Sequence, residues 1–250
     1  VGTSAGGARA KAIVAFNAET GEVRSGQIDG LEGFTYCLLK FDGVTNEKLG
    51  DPKGYGRIEY AYHLMARACG VEMMPCRLHE EGGRAHFMTR RFDRSPAGRK
   101  WHLQSLGAMR HFDFNQPRAY AYEQAIETIR LLDIGPAAIE QQARRAFLNV
   151  VIRNQDDHVK NIAFVMNQSG AWALSPAFDV TYAYNPEGTW TREHQMSLNG
   201  RTSDFSIEDL ISFGRYCDLK PARCRAMIDE VLTAARNWRT HCDAAGVPEA

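Results

Sequence analysis

Several features that would place this sequence in a specialised class of protein are absent from it. The 250 residues contain no apolar run of the ~18 residues that a membrane-spanning helix needs, and no signal-peptide pattern, so we expect neither a membrane protein nor a secreted one. There is also no internal repeat and no low-complexity segment. With 44% hydrophobic and 24% charged residues, the chain has the composition of an ordinary globular protein with a substantial core.

An excess of charge of either sign is missing as well. Lysine and arginine together number 30, and so do aspartate and glutamate, which gives a net charge of zero with neutral histidines. A protein that binds nucleic acid through its own surface usually carries a basic excess. We therefore do not expect this chain to bind nucleic acid directly or to lie on an anionic membrane.

The cysteines lack the spacing of a zinc site or of a redox motif. No two of the six form a CxxC pair, and none has a histidine at zinc-finger spacing. In a chain of this size we expect them to be reduced, mostly buried thiols of a cytoplasmic protein. They are Cys37, Cys69, Cys76, Cys217, Cys224 and Cys242.

What the sequence does have is a concentration of polar residues at 153–164. A helical pattern leads into this segment and a short apolar run leads out of it, which predicts a loop held between packed elements. Within six positions, Asp156, His158, Lys160 and Asn161 offer a proton acceptor, an imidazole, a cation and an amide oxygen. The alternative is a solvated loop with a capping aspartate and a salt bridge.

A second carboxylate, Asp179, follows this loop after a predicted hairpin whose turn is at 167–170. The chain order is therefore Asp156, Asn161 and Asp179. Protein kinases place a catalytic base, a metal-binding asparagine and a metal-binding aspartate in the same order. The order favours phosphoryl transfer as the chemistry of this segment.

A small-residue segment at 2–8 agrees with nucleotide binding. It runs into the predicted strand 12–16, and small residues let backbone N–H groups approach phosphate oxygens closely. Its alternative is a flexible terminus. Because such a loop normally follows a strand, we expect that further sequence precedes Val1.

Lys40 lies in the apolar strand predicted at 34–41, where a buried ammonium needs an anion. The candidate is Glu59, at the start of a helix predicted at 57–69, since kinases pair a strand lysine with a glutamate of the following helix. The alternatives are a lysine whose head reaches solvent at the strand end and a surface glutamate that suits the helix dipole.

The predicted elements change in character near residues 90–95. Before that point the patterns are mainly strands, and after it they are mainly helices, the last of which is predicted at 221–241. We predict an α+β protein of two lobes, with a small β-rich N-lobe at 1–93 and a larger, mainly helical C-lobe at 94–250. A cleft between two lobes is a preferred place for a ligand.

Taken together, these motifs resemble the kinase core of the HipA family, the toxin kinases of bacterial toxin–antitoxin modules. The resemblance implies a protein-kinase-like fold that uses ATP and Mg²⁺ to phosphorylate a serine or threonine of a protein. The chain departs from the family's pattern at Arg90, where an acidic residue is common, and at Ala10, where proline is common. The matching segments, in the family's order, are GTSAGGARAK (2–11), RFDR (91–94), NQDDHVKN (154–161), SPAFD (175–179) and MSLNG (196–200).

The resemblance also implies roles for single residues of the polar segment. Asp156 would be the catalytic base, with His158 and Lys160 beside it in the catalytic loop. His158 would brace that loop rather than titrate. Asn161 and Asp179 would bind Mg²⁺.

On the nucleotide side, the resemblance implies that Lys40, paired with Glu59, contacts the ATP phosphates. Arg91 and Phe92 would lie in the hinge that meets adenine through backbone groups. One residue of the phosphate-covering loop, Ser4, matches the serine whose autophosphorylation inhibits family members. The residues of that loop are Ser4, Ala5, Gly6, Gly7 and Ala8.

Partners follow from the same resemblance. We expect a protein substrate, for which an aminoacyl-tRNA synthetase is the candidate that relatives suggest. We also expect a HipB-like antitoxin, through which alone this chain would meet DNA, and no membrane partner.

Other functions stay open on the sequence alone. A metal-dependent phosphohydrolase would use Asp156, Asp157, His158 and Asp179 around two metal ions, but it leaves Lys40 and the small-residue loop unexplained. A catalytically idle, kinase-like binding module would not need the intact set of polar residues. A lipid kinase would need a basic or amphipathic membrane face, for which the sequence has no pattern.

Overall fold

The computed structural model describes residues 10–45, 48, 49, 51–95 and 98–248. The strands are β1 (Lys11–Phe16), β2 (Val23–Ser25), β3 (Thr35–Lys40), β4 (Val44–Thr45), β5 (Lys48–Leu49), β6 (Cys76–Glu81), β7 (Arg84–Arg90), β8 (His102–Ser105), β9 (Tyr120–Ala121), β10 (Ala163–Met166), β11 (Trp172–Leu174) and β12 (Met196–Ser197). The helices are α1 (Tyr55–Ala68), α2 (Leu106–Arg110), α3 (Tyr122–Leu131), α4 (Pro136–Val151), α5 (Ile207–Tyr216), α6 (Pro221–Arg236) and α7 (Trp238–Ala245). None of the helices formed by the described residues is long and apolar enough to cross a membrane.

The chain divides into two compact units. The β-rich unit contains residues 1–63, 74–101 and 239–250, and the helical unit contains residues 64–73 and 102–238. Helix α1 therefore begins in the β-rich unit and ends in the helical unit. The mixture of strands and helices agrees with the predicted α+β class, and the predicted division of the chain after residue 93 stays a prediction.

A five-stranded antiparallel sheet, in the order β2-β1-β3-β7-β6, forms the centre of the β-rich unit. Every second side chain of β1 points to the same face, and this face packs into a hydrophobic core. Lys40 ends the central strand β3, where it pairs with Lys11 of β1 and Phe87 of β7. The buried side chains of the core are Ala12, Val14, Phe16, Cys37, Leu39 and Met88.

The start of α1 is held by a carboxylate that lies outside the helix. Buried Asp42, two residues after β3, accepts hydrogen bonds of 3.2–3.3 Å from the backbone N–H groups of Lys53, Gly54 and Tyr55. The first N–H groups of a helix have no acceptor within the helix, and a negative charge suits this end of the helix dipole. The Asp42 N–H in turn donates to Nδ1 of His86 at 2.9 Å.

In the helical unit, α3, α4, α5 and α6 pack around aromatic side chains. The ring of Phe213 meets the rings of Tyr122 and Phe147 edge to face, and all three are buried. Helix α4 begins at Pro136 after Gly135, whose φ of 103° is accessible mainly to glycine. This helix leads directly into the polar segment.

The predicted hairpin after that segment is confirmed. Strands β10 and β11 pair antiparallel, and β8 pairs antiparallel with the other edge of β10. The turn is fixed by Asn167, whose Oδ1 accepts hydrogen bonds from the N–H groups of Ser169 and Ala171 at 3.0 Å each. The hairpin delivers the chain to Asp179.

The C-terminal helix predicted at 221–241 is two helices in the structure. Helix α6 ends at Arg236, Asn237 caps it, and α7 begins at Trp238. The apolar spacing continues across the break, so periodicity alone does not reveal it. From Arg239 onward the chain belongs to the β-rich unit, so the break lies where the chain passes from one unit to the other.

The predicted state of the cysteines agrees with the structure. They are free thiols, and Cys37, Cys69, Cys217 and Cys224 are buried. Burial raises the pKa of Cys37 to about 11 and that of Cys217 to about 12. Both thiols are therefore protonated and unreactive at neutral pH.

Candidate active site

Lys40 and Glu59 form a buried ion pair in the β-rich unit. Nζ of Lys40 lies 2.5 Å from Oε1 of Glu59, and the two side chains are 10% and 4% exposed. The same ammonium lies 5.7 Å from the centre of the Phe87 ring, within the range of a cation–π contact. The ion pair that the sequence predicts is present, and the burial of the lysine does not fit a side chain that reaches into solvent.

Close packing between α1 and β7 brings Glu59 within reach of Lys40. A Cβ at Gly56 would overlap the carbonyl oxygen of Ala85, so only glycine permits this approach of helix to strand. Asp42 fixes the same end of α1 from outside the helix. The strand lysine and the helix glutamate are thus aligned by backbone contacts rather than by their own attraction alone.

The polar segment of the helical unit begins with a sharp change of direction after α4. Arg153 adopts a left-handed conformation with φ of 54°. Its carbonyl accepts a hydrogen bond from the N–H of Ala183 at 3.1 Å, and its guanidinium lies 4.6 Å from the centre of the Tyr184 ring. These contacts fix where the loop leaves the helix.

The loop is held from behind by the buried carboxylate of Asp157. Its Oδ2 accepts a hydrogen bond from the Tyr122 hydroxyl at 2.6 Å and lies 2.7 Å from Nδ1 of His194. Its Oδ1 accepts from the N–H of Gln195 at 2.8 Å, and the Tyr122 hydroxyl accepts from Nδ2 of Asn149 at 2.9 Å. Hydrogen bonds to a charged group are strong away from water, so this network holds the loop in one conformation.

The sequence did not predict that Asp157 supports the loop, because its partners are far from it in sequence. Tyr122 and His194 lie 35 and 37 residues from Asp157, beyond the reach of any spacing motif. The available signal is the Asp156–Asp157 dipeptide itself. In the structure the first carboxylate of this dipeptide is exposed and the second is buried.

Asn161 closes the loop onto Asp156. Its Nδ2 donates to the backbone carbonyl of Asp156 at 2.8 Å, and its N–H donates to the carbonyl of His158 at 2.8 Å. Because Nδ2 is engaged in this way, Oδ1 is the atom of the side-chain amide that is suited to bind a cation.

Asp156 has the electrostatic surroundings of a proton acceptor. Although its side chain is 52% exposed, partial burial raises the pKa of Asp156, and the negative charges of Asp179 and Asp157 raise it further. The charges of His158 and Lys160 act in the opposite direction and lower this pKa. Aspartates normally titrate near 3.8, so the net shift moves the carboxylate toward the pKa that a general base requires.

The segment that leads to Asp179 is held by hydrogen bonds to its backbone. The Ala177 N–H donates to the carbonyl of Glu72 at 2.8 Å, and Asp179 adopts a left-handed conformation with φ of 53°, which aspartate tolerates better than most residues. Nδ2 of Asn154 lies 3.0 Å from Oδ1 of Asn149 and 3.5 Å from the carbonyl oxygen of Asp179. The side chain of Asn154 therefore contacts the backbone at this second carboxylate.

His158 and Lys160 flank Asp156 without a direct hydrogen bond to it. Nε2 of His158 lies 3.7 Å from Oδ1 of Asp156, which is too long for a hydrogen bond. The Lys160 ammonium lies 3.4 Å from the centre of the Phe114 ring. Lys160 thus contributes positive charge near Asp156 and is held by a cation–π contact.

Arg91, a predicted hinge residue, is engaged within the β-rich unit. Its N–H donates to the carbonyl of Tyr36 at 2.9 Å, and its guanidinium forms two hydrogen bonds to Asp93, of 2.8 and 2.5 Å. The contact of Arg91 and Phe92 with adenine stays a prediction.

The structure brings the predicted site residues together in two groups. The β-rich unit contains Lys40, Glu59, Arg91 and Phe92. The helical unit contains Asp156, His158, Lys160, Asn161 and Asp179. The predicted phosphate-covering loop lies outside the described residues, so its contact with ATP and the autophosphorylation of Ser4 stay predictions. Its residues are Ser4, Ala5, Gly6, Gly7 and Ala8.

The donor set near Asp156 fits magnesium. Asp179 lies near enough to Asp156 for its charge to raise the pKa of that carboxyl, so a cation there would offset a repulsion that already exists. Asn161 and Asp179 supply the hard oxygen ligands that Mg²⁺ prefers, and protein Mg²⁺ sites are usually completed by waters and substrate phosphates. Among the described residues, no cluster of three or more His, Cys, Asp or Glu side chains is arranged to hold a metal on its own.

The fold and the sequence have known relatives. The sequence matches the family described as HipA-like C-terminal domain over residues 3–238. The structure is similar to HipA of Shewanella oneidensis MR-1, solved in complex with HipB and its operator DNA, with a TM-score of 0.70 and 15% identity over 99% of this chain and 60% of that one. It also matches the Helicobacter pylori proinflammatory kinase CtkA with a TM-score of 0.48 and 11% identity over 86% of this chain and 90% of that one. No curated protein matches in sequence.

The likeness to the Shewanella protein shows the fold. The predicted α+β, kinase-like fold is therefore confirmed. This chain spans 60% of the length of that HipA chain.

Proposed function

This chain belongs to the family of HipA-like C-terminal domains, and from that premise we propose that it is an ATP- and Mg²⁺-dependent serine/threonine protein kinase of a bacterial toxin–antitoxin module. The observation that carries the proposal is the loop from Asp156 to Asn161, which is closed on itself, held by a buried carboxylate and followed by Asp179. A protein kinase needs a base and two oxygen ligands for magnesium in this order.

The reaction is the transfer of the γ-phosphoryl group of ATP to a protein hydroxyl. Asp156 orients the hydroxyl and accepts its proton while a bond forms between the hydroxyl oxygen and the γ-phosphorus. The bond between that phosphorus and the bridging oxygen of the β-phosphate breaks, and ADP leaves. Asp156 suits this role because its carboxylate is exposed while its backbone carbonyl is held by Asn161.

The other predicted residues neutralise charge. Lys40, oriented by Glu59, would bind the nucleotide phosphates, as the corresponding strand lysine does in protein kinases. Asn161 and Asp179 would hold Mg²⁺, which offsets the charge of the phosphates when it is bound. Lys160 adds positive charge close to the base.

Autophosphorylation of Ser4 is part of the proposal. A phosphate there would add about 1.5 to 2 negative charges to a loop that would otherwise cover the phosphates of ATP. Repulsion between like charges would then exclude the nucleotide and switch the kinase off. The test is to compare the ATP affinity of chain incubated with Mg²⁺ and ATP with that of Ser4→Ala treated in the same way, and equal affinities would refute this control.

The proposed partners follow the family. The Shewanella relative was solved with HipB and operator DNA, which supports a HipB-like antitoxin as a partner of this chain and contact with DNA only through that antitoxin. The acceptor is a cytoplasmic protein, and an aminoacyl-tRNA synthetase is the first candidate. Copurification of this chain with a coexpressed HipB-like antitoxin tests the first partner, and phosphoproteomics tests the second.

A metal-dependent phosphohydrolase is the competing function, and the geometry of Asp157 weighs against it. A two-metal site would need that carboxylate as a ligand. Asp157 instead faces Tyr122, His194 and the N–H of Gln195 in the interior of the helical unit. Its oxygens therefore hold the loop in place and do not face a metal site.

One experiment separates the two functions. Purified chain is incubated with Mg²⁺ and γ-labelled ATP, with and without a bacterial protein extract, and in parallel with a phosphoester in the absence of ATP. A kinase transfers label to serine or threonine of a protein, and Asp156→Asn lowers this transfer by about 10² to 10⁴. Release of phosphate from the ester without any protein labelling would overturn the proposal.

A further inference from the structure

A second polar site lies in the β-rich unit, in a cavity of about 310 Å³ between the start of β3 and the end of β7. This volume is within the range of small-molecule sites, which begins at about 300 Å³. A second cavity, in the helical unit, measures about 20 Å³ and has room for a single water molecule. The residues that line the larger cavity are Gly33, Phe34, Thr35, Tyr36, Arg90, Arg91, Arg94 and Ser95.

Two of the three arginines in this cavity are fixed in place. The buried carboxylate of Asp93 accepts hydrogen bonds from Nε and a terminal nitrogen of Arg91, of 2.8 and 2.5 Å, and from a terminal nitrogen of Arg94 at 2.7 Å. Both guanidinium groups are mostly buried, with side chains 18% and 10% exposed. Each guanidinium carries five N–H donors, so both retain donors beyond those that Asp93 engages.

Arg90 brings a third positive charge to the mouth of the cavity. Its side chain is exposed, and within the described ranges no ion pair or hydrogen bond of its guanidinium is recorded. Three guanidinium groups and one carboxylate leave an excess of two positive charges. No acidic side chain is among the described residues that line the cavity.

We propose that this cavity is a binding site for a phosphate monoester dianion. The charge of the ligand matches the excess charge of the site, and the planar guanidinium fork matches the oxygens of a phosphate. Because Asp93 holds Arg91 and Arg94 before any ligand arrives, little side-chain entropy is lost on binding. The same chemistry is offered by a free phosphate and by a phosphorylated side chain of a protein.

The site is separate from the lysine proposed to bind the nucleotide phosphates. The cavity is lined by Thr35, the first residue of β3, whereas Lys40 is the last residue of that strand. At a rise of ~3.3 Å per residue, the five steps between them span about 17 Å, and Arg90, which pairs with Cys37, lies three steps, or about 10 Å, along the sheet from Lys40. The charged end of a nucleotide bound at Lys40 therefore lies away from the arginines.

Calorimetric titration of the full chain tests the proposal. The probes are inorganic phosphate and a short peptide that carries one phosphoserine, with the unphosphorylated peptide as a blank. Arg90→Gln removes one charge and one charge-assisted contact, so it should lower the affinity for both phosphate probes by about tenfold. Arg90→Glu should weaken them further. The matched control is Arg239→Gln, an exposed arginine of the same unit, which should leave both affinities within about twofold.

Each result of these titrations either supports or contradicts the proposed phosphate site. Tighter binding of the phosphopeptide would identify a protein-linked phosphate as the ligand, and equal affinities would identify free phosphate. Absence of binding, or affinities that are the same in Arg90→Gln and in the unmodified chain, would overturn the proposal. Displacement of phosphate by Mg²⁺-ATP but not by adenosine would place the anion at the site of the nucleotide phosphates and would also overturn it. Because the titrations need no phosphoryl transfer, their result is independent of whether the chain is a kinase.

Discussion

The two groups of predicted active-site residues are built in opposite ways. In the β-rich unit, Lys40 and Glu59 are 19 residues apart in sequence and form an ion pair in the interior. In the helical unit, the polar residues from Asp156 to Asn161 are neighbours in sequence, and they are exposed or partly exposed at positions 156, 158, 160 and 161. The stabilising partner of that loop is Asp157, which faces away from the groups that would do the chemistry.

The difference shows two solutions to one problem. A charge needed for function must be kept in place without being neutralised so fully that it cannot act. The β-rich unit pairs one functional charge with another. In the helical unit the functional carboxylate of Asp156 is exposed. A separate, buried carboxylate, that of Asp157, accepts the hydrogen bonds that hold the loop in place.

The largest effect is expected at the exposed centre. Asp156→Asn keeps the size of the side chain and removes the base, so phosphoryl transfer should fall by about 10² to 10⁴. Its effect on folding should be small, because the backbone carbonyl that Asn161 binds is unchanged. Label transfer to protein and a urea unfolding curve measure the two quantities.

The control for this change is Asp229→Asn, an exposed aspartate of α6. It should alter neither transfer nor stability. Turnover that is unchanged in Asp156→Asn would contradict the assignment of the base.

Removing one partner of the buried Lys40–Glu59 pair should strongly reduce the free energy of unfolding. Glu59→Gln removes the carboxylate that lies 2.5 Å from the buried Lys40 ammonium, which should cost about 3–5 kcal/mol of unfolding free energy. Glu80→Gln is the matched control, because Glu80 pairs with Arg57 at the same 2.5 Å but is 61% exposed. That exposed pair should contribute no more than about 1 kcal/mol. Equal losses in the two variants, measured by chemical denaturation, would remove the contrast between a buried and an exposed pair.

The support behind the loop should show an intermediate effect. Asp157→Asn removes the charge that Tyr122, His194 and Gln195 surround, at a cost of about 1–3 kcal/mol. Turnover should fall roughly tenfold through displacement of Asp156, with the KM for ATP little changed, since 1 Å of misplacement is enough for a large loss of rate. Steady-state kinetics measured well below the unfolding temperature check this expectation. A variant that loses stability but keeps the turnover of the unmodified chain would show that Asp157 has a structural role only.

The smallest effect concerns pH. The charge of Lys160 lowers the pKa of Asp156, so Lys160→Met should raise that pKa further. The base must be deprotonated to act, and the acid limb of the kcat/KM profile should therefore move to higher pH. Lys220→Met, at an exposed lysine of the same unit, should leave the limb in place. A shift toward lower pH in Lys160→Met would contradict the sign of this interaction.

The parts of the site that could be predicted from sequence are those with local or familiar spacing. The Asp156, Asn161 and Asp179 order and the strand lysine with its helix glutamate depend on the identity of a few residues at characteristic separations. The Tyr122–Asp157–His194 contacts could not be predicted, because they arise only when α3 and the segment before β12 meet the loop.

The same limit applies to the fold. Hydrophobic periodicity located β1, β3, α1 and α4, whose apolar faces are regular. It predicted α6 and α7 as one helix, because the apolar spacing does not show that α6 ends at Asn237, close to where the chain passes from one unit to the other between Trp238 and Arg239. The left-handed conformation of Arg153 is fixed by the hydrogen bond from the N–H of Ala183, so it could not be predicted from the local sequence.

The bond between Asp42 and His86 makes the lysine–glutamate pair sensitive to acid. Because Nδ1 of His86 accepts the Asp42 N–H, the imidazole must be neutral for the contact to exist. Burial lowers the pKa of His86 below its ordinary value of 6.5, and the nearby His79 lowers it further. The folding stability that depends on the neutral ring is therefore present above about pH 6.5 and is lost as the pH falls and the ring takes up a proton. Asp42 also holds the first turn of α1, so mild acidification should loosen the helix that carries Glu59.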